Sequence, residues 1–300
     1  MAITLVHPLY TEWFTINGES MATYGWGVES VTTGLPERKG DNPSSPIMHG
    51  NIFREKRLGS RTDTWNIWVC DAHPTTGAIP ATENGKRAQF NENLDYVNGI
   101  LNDLTPYGLY NGALEIKKHF LSPVSAPVET IVTAYGEVFS SYSYEDAKQF
   151  NYTTLSVEIS YPDPRWSGDS NTVTIAGSAT PASASVTAAN IGNAPVSAMT
   201  ITITANSGQT VVNPIVSNTT LANYPCSIGF TGTLTSLQSV VIDTYAYTIY
   251  KGATNSISSL YRAGYRQDWF EFFPTGTNTI QVQSTSGAFS VSIVYSKAYF

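Results

Sequence analysis

Apolar and polar positions alternate along most of this chain, and the period lengthens to that of a helix in one place. Trp65-Asn66-Ile67-Trp68-Val69 sets large side chains on alternating positions, the pattern of a half-buried strand. From Ile3 to about Val69 similar runs are separated by turn clusters. Thr15-Ile16-Asn17-Gly18 marks a tight turn and Asp41-Asn42-Pro43-Ser44-Ser45-Pro46 a loop. Further strands are predicted at Ala113 to Leu121, Glu129 to Phe139 and Leu155 to Ser160.

The helical period runs from Glu83 to Leu104. Phe90, Leu94, Val97, Leu101 and Leu104 fall on one face, with Lys86, Arg87, Glu92 and Asp95 elsewhere. Gly99 weakens this helix by about 1 kcal/mol relative to Ala, and Pro106 follows its end. Taken alone, the stripe reads as an amphipathic helix covering one side of a sheet.

Tyr161-Pro162-Asp163-Pro164-Arg165-Trp166-Ser167-Gly168 breaks the pattern, because prolines one residue apart disrupt regular pairing. This predicts a first domain over 1–162, a linker over 163–169 and a second domain over 170–300. In the second, short alternating segments follow one another: Thr172 to Ala176, Ala184 to Ala189, Ala198 to Ala205, Val211 to Val216, Ser227 to Thr231, Val240 to Asp243, Tyr245 to Tyr250, Trp269 to Phe273, Thr279 to Gln283 and Phe289 to Tyr295. Such a series, with no helical period, predicts an antiparallel β-sandwich. Trp269, Phe270, Phe272 and Phe273 read as one strand, Trp269 and Phe273 on one face and Phe270 and Phe272 divided between faces. Core packing accounts for this run better than a platform for sugar.

Composition agrees with a folded, strand-rich chain. Hydrophobic residues make up 41% and aromatics 12%, enough to offset the entropy lost on folding. Charged residues are only 13%, about half the usual share. Either neighbouring subunits cover much of the exterior or Ser, Thr and Asn supply a polar surface. The net charge of −7 argues against a protein that wraps nucleic acid. It is also lopsided, since Met1 to Trp166 holds 12 of the 16 basic and 19 of the 23 acidic residues.

No constellation for catalysis is legible, and the chain is expected not to be an enzyme and to need no cofactor. His7, His49, His73 and His119 are scattered without metal-ligand spacing, and Cys70-Asp71-Ala72-His73 lacks the two further ligands of a structural zinc site. No G-x-S-x-G elbow, phosphate-cradling Gly loop or calcium loop is present. Asp243 and Asp268 read as turn or strand-end residues. Cys70 and Cys226 are read as buried free thiols. Neither a signal peptide nor an apolar run long enough for a membrane span is found, so synthesis in the cytoplasm is expected.

Several short motifs carry a resemblance. Gly192-Asn193-Ala194-Pro195 leads into Met199-Thr200-Ile201-Thr202-Ile203, followed by Val241-Ile242-Asp243 and Trp269-Phe270-Glu271-Phe272-Phe273-Pro274-Thr275-Gly276-Thr277-Asn278. With the ending Tyr295-Ser296-Lys297-Ala298-Tyr299-Phe300 and the junction Asp163-Pro164-Arg165-Trp166, this order resembles siphophage distal tail proteins along the whole chain. Thr275 departs from the family pattern by separating Pro274 from Gly276.

The resemblance implies a mainly β protein: an N-terminal tail-tube-like β-barrel or sandwich with one helix, and a C-terminal galectin-like antiparallel β-sandwich. It implies a structural role in which a homohexameric ring joins the tail tube to the tail tip or baseplate at the distal end of the virion tail. Its partners would be further copies of itself, the tube protein, the tip hub protein and the tape measure protein, with DNA passing the lumen without specific binding. Excess acid in the first domain would give that lumen a negative potential. Lys86, Arg87, Phe90, Leu94, Val97 and Leu101 become interface candidates, and Asp243, Trp269, Phe270, Phe273, Gly276 and Asn278 form a core motif of the second domain. The alternative reading is a carbohydrate-binding module of the tail tip that recognises the host, although no galectin sugar-binding cluster is recognisable.

Overall fold

A computed structural model describes residues 12–39, 57–102, 113–121, 129–138, 151–187, 191–220, 226–246, 248–264, 270–273 and 277–300. The chain divides into two compact units, Met1–Trp166 and Ser167–Phe300.

In the first unit the elements are β1 (Glu12–Ile16), β2 (Glu19–Ser20), β3 (Trp26–Thr32), β4 (Arg38–Lys39), β5 (Arg57–Leu58), β6 (Arg61–Cys70), α1 (Glu83–Leu101), β7 (Leu114–Leu121), β8 (Glu129–Val138) and β9 (Tyr152–Tyr161). Antiparallel pairing sets the order β2-β1-β7-β8-β9-β6-β3, with β4 and β5 as a separate pair. The sheet curls on itself, for Phe14 of β1 meets Trp65 of β6 edge to face at 4.7 Å, although three strands separate them in the order. The Asn17-Gly18 turn is as its sequence predicts: both residues have positive φ, 51° and 81°, which a two-residue hairpin of matching twist requires. β6 alternates strictly, burying Arg61, Asp63, Trp65, Ile67 and Val69 against Tyr161, Ile159, Val157, Leu155 and Thr153 of β9.

The helix begins at the predicted place. Thr82 caps it, its hydroxyl accepting from the Gly85 N–H, and Phe90, Leu94, Val97, Ile100 and Leu101 are buried. The expected end at Leu104, with Pro106 beyond it, lies outside the described residues. None of the described helices is long and apolar enough to cross a membrane.

The second unit is built from β10 (Trp166–Gly177, its first residue still in the first unit), β11 (Ala182–Thr187), β12 (Met199–Ala205), β13 (Val211–Val212), β14 (Ile215–Asn218), β15 (Cys226–Phe230), β16 (Thr233–Leu234), β17 (Ser239–Asp243), β18 (Thr248–Lys251), β19 (Thr254–Asn255), β20 (Leu260–Gly264), β21 (Thr277–Gln283) and β22 (Phe289–Tyr299). One sheet runs β19-β18-β17-β12-β22-β10 and the other β11-β21-β14-β15-β20, while β13 and β16 form a small pair. Ile201, Ile203, Val291 and Ile293 from the first sheet share a core with Val216, Ile228, Ile280 and Val282 from the second. The molecule is therefore mainly β, with antiparallel pairing in both units, as the alternation predicts.

Four expectations need correction. Residues 166–169, expected as linker, are the start of β10, because the break is confined to the bends at Pro162–Arg165. Val211 to Val216 is two short strands, since Asn213 takes a positive φ of 50° between them. Tyr245 lies in a turn and is 70% exposed. The segment Phe270 to Phe273 is not a regular strand: it makes one bridge, Val196 to Phe272. Phe270 and Phe272 both face the core, 5.7 Å apart edge to face, rather than being divided.

One residue stands out in the turn between β16 and β17. Leu237 has a φ of 62° and is 67% exposed, a left-handed backbone that branched side chains rarely adopt. Its N–H bonds the Ala205 carbonyl, and the turn is closed by Gln238 N–H to the Thr235 carbonyl.

Candidate functional site

Three constellations hold the sequence-marked residues. The first is the helix. Phe90, Leu94, Val97 and Leu101 are only 0%, 6%, 0% and 2% exposed, so the unit's own core consumes the stripe proposed as an interface. Burial of each such side chain contributes about 1.5–3 kcal/mol, which is why the face turns inward. Lys86 and Arg87 stay near the surface. The Lys86 ammonium lies 2.7 Å from the Glu83 carboxylate, a hydrogen bond that raises its pKa, and the Arg87 guanidinium stands 5.2 Å over the Phe90 ring.

Sequence reasoning missed the polar residue that seats this helix. Asn93, 1% exposed within the apolar stripe, donates from Nδ2 to the Cys70 carbonyl at 2.7 Å and to the Ala72 carbonyl at 2.8 Å. Gln89 donates to its Oδ1. Gly25 makes room: a Cβ there would stand 2.7 Å from Asn93 Nδ2. The thiol of Cys70 donates to the Tyr24 carbonyl, and burial raises its pKa.

The second constellation is the Asp163-Pro164-Arg165-Trp166 junction. Asp163 and Arg165 grip each other through both carboxylate oxygens, at 2.8 Å each. Arg61, 2% exposed, donates to the Pro164 carbonyl at 2.6 Å and lies 3.1 Å from Asp63, with its guanidinium 4.8 Å from the Tyr161 ring and 5.8 Å from the Trp166 ring. Asp63 also accepts from the Gly34 N–H. Burial outweighs Arg61 and holds the Asp63 carboxyl above its usual range. A charged pair inside β6 was not foreseen.

The third lies in the second unit. Asn278, fully buried, accepts at Oδ1 from the Phe273 N–H and from Asn218 Nδ2, and donates from Nδ2 to the Phe273 carbonyl. Asn218 donates again to the Glu271 carbonyl and accepts from the Thr220 N–H and hydroxyl. Phe272 meets Tyr295 edge to face at 4.9 Å. Asp243 closes β17 by accepting from the N–H groups of Tyr245 and Ala246. Trp269 and Gly276 lie outside the described residues. Gly192-Asn193-Ala194-Pro195 clasps the last strand: the Ala194 N–H bonds the Ala298 carbonyl, and Asn193 Oδ1 accepts from Phe300. A Cβ on Gly192 would sit 2.1 Å from the Ala298 oxygen.

These are packing and fastening devices. Among the described residues no group of three His, Cys, Asp or Glu side chains could hold a metal ion. His73 accepts from the N–H groups of Thr75 and Thr76, and His119 stacks on Trp13 at 5.1 Å; His7 and His49 lie outside the described residues. Cys226 is free, and burial raises its pKa, which suppresses the thiolate.

No protein-family model matches the sequence. No curated protein matches it either. Among solved structures the chain has the fold of Dit from phage SPP1, described as a paradigm of the hub adsorption apparatus of phages that infect Gram-positive bacteria. The two align over 97% of this chain and 100% of that one, with a TM-score of 0.60 and 13% identity. A chain of the phage P2 baseplate in its activated conformation aligns over 96% of this chain and 98% of its own, at 8% identity and a TM-score of 0.37, too low to weigh.

Proposed function

We propose that this Dit-like chain is a structural protein of a bacteriophage tail, the distal hub that joins the tail tube to the tip or baseplate, and that it has no enzymatic role. The observation that carries the reading is the end-to-end correspondence of a two-unit chain with SPP1 Dit, 97% of one on 100% of the other. The junction motif and the clasp around the last strand, marked in sequence as resembling that family, turn out to be the places where side chains fasten backbone segments together. Sites built to hold a scaffold rather than to bind a small molecule are what such a role requires.

The mechanism is mechanical. Six copies meet head to tail, and a rotation that closes makes an annulus around the channel. The ring's neighbours are the tube protein, the tip hub protein and the tape measure protein. The acidic excess of Met1–Trp166 repels passing DNA. Native mass spectrometry of the full chain, with electron cryomicroscopy of the particle, tests this. A closed hexamer encircling the channel at the tail's lower end is expected. A chain located elsewhere in the particle overturns it.

A further inference from the structure

Charge is placed unevenly in this chain. No Asp, Glu, Lys or Arg occurs anywhere from Asn171 to Ile242, whereas β6 of the first unit buries both Arg61 and Asp63. A buried polar group normally finds a hydrogen-bond partner, and one that lacks it calls for a reason such as strain, a water or a bound ion. Several such groups gather on the inner face of β6 and β9.

Arg61, Asp63 and Trp65 are alternate residues of β6 and so share that face, and Tyr161 lies directly opposite Arg61 on β9. Arg61 is 2% exposed, and Trp65 and Tyr161 are fully buried. The Arg61 guanidinium donates from Nη1 to the Pro164 carbonyl. Its Nε stands 3.1 Å from Asp63 Oδ1 without forming a hydrogen bond, and its Nη2, the Trp65 indole Nε1 and the Tyr161 hydroxyl likewise form none among the described residues. The Tyr161 ring links the others. The guanidinium stands 4.8 Å from its centre. Burial first, and Asp63 after it, raise the pKa of the Tyr161 hydroxyl, against the opposing pull of Arg61 and of the Trp65 indole N–H, which is close to that oxygen without meeting hydrogen-bond geometry.

Hydrogen-bond arithmetic narrows the occupant of such a lining. Guanidinium and indole nitrogens only donate, and of these unpaired groups the Tyr161 oxygen alone can accept. A water molecule would have to place two hydrogens of its own as well as receive several. A spherical anion accepts from every side and has nothing to donate. The Arg61 charge is permanent, and Asp63, which meets it at Nε, shares its Oδ1 with the Gly34 N–H.

We propose that the inner face of β6 and β9 holds a small monovalent anion, a halide, between Arg61 Nη2, Trp65 Nε1 and the Tyr161 hydroxyl. Bound there, the anion fixes the guanidinium whose Nη1 grips the Pro164 carbonyl, and so helps to hold the turn that closes the first unit. This site goes beyond the structural role proposed above and does not depend on it.

Bromide, a halide visible by anomalous diffraction, is the probe. Crystals of the full-length chain grown in sodium bromide are expected to show an anomalous peak within hydrogen-bond distance of all three groups. In solution at equal ionic strength, the thermal midpoint is expected to be higher in sodium chloride or bromide than in sodium gluconate, whose anion is too large to enter. The gain should rise by a near-constant increment for each tenfold increase in halide above its dissociation constant. Trp65→Phe keeps an aromatic ring but loses the N–H, and is expected to shrink that gain. Asp63→Asn removes the competing carboxylate and is expected to enlarge it. Density at the site without an anomalous signal, as water would give, overturns the proposal. So does a bromide peak with no gain in midpoint, an adventitious ion only. A gain that grows in simple proportion to salt, or that is unchanged in Trp65→Phe, is a general salt effect and overturns it too. Diffraction and midpoints of the parent chain decide the outcome even where neither variant folds.

Discussion

The Arg61 guanidinium donates from Nη1 to the carbonyl oxygen of Pro164 at 2.6 Å, tying the first residue of β6 to the turn that closes the first unit. Its partner Asp63 is equally hidden, at 1% exposure. Removing one member of a buried ion pair strands the other's charge, at a cost of about 3–5 kcal/mol. Arg61→Met is expected to lower stability by that order, seen as an earlier midpoint in urea. Adding Asp63→Leu should recover part of the loss, since no buried charge then remains. Strictly additive losses would show that the two are not coupled.

Tyr161 gives the first unit an alkaline limit. Burial chiefly, and then the charge of Asp63, hold its hydroxyl far above the ordinary value. An acid whose folded pKa is raised stays protonated in the folded state while the unfolded chain ionises. Its contribution is therefore intact below about pH 10 and declines as pH rises beyond it. Tyr161→Phe is expected to flatten the decline by up to about 1.4 kcal/mol per pH unit. Urea melts of both proteins across that range check the slope, and identical slopes would refute it.

Asn93 anchors α1 by satisfying two carbonyls with one amide. Asn93→Leu suits the apolar stripe but leaves both carbonyls without that donor, and a loss of about 2–3 kcal/mol is expected. Leu94→Asp, which buries a charge on the same face, should cost several kcal/mol. Differential scanning calorimetry of the two variants separates these effects from a merely exposed helix, which would show neither.

Leu237 predicts a gain. Its left-handed backbone costs about 1–2 kcal/mol in a residue with a Cβ, and glycine returns roughly half of that through extra freedom in the unfolded chain. Leu237→Gly is thus expected to stabilise the protein by about 0.5–1 kcal/mol, measured from the denaturant midpoint. A lower midpoint would mean that the side chain is packed after all.

Periodicity made the architecture legible where one force dominated. Phe90, Leu94, Val97 and Leu101 share a face because burial decides it, and Asn17-Gly18 could hardly be anything but a hairpin turn. The stripe reads by itself as a helix covering a sheet, which its burial in the unit's own core matches; only the resemblance makes its residues interface candidates. Asn93 escaped notice because an amide in an apolar stripe declares its purpose only when two carbonyls from distant sequence arrive beside it. Arg61 and Asp63 sit two apart on a strand and so share a face, yet charge alone reads as surface. The aromatic run ending at Phe273 has strand composition, but its path is set by Asn278, five residues further on, and by Asn218, far away in sequence.

The uncharged stretch from Asn171 to Ile242 has a consequence for how the polypeptide meets its surroundings. Acid acts on carboxylates, and brine weakens attraction between ions. Both find their targets in Met1–Trp166, home to 19 of the 23 acidic residues, and none in that stretch. One half of the chain registers the chemistry of the medium, and much of the other half is deaf to it, held by apolar packing and amide bonds that neither vinegar nor seawater disturbs.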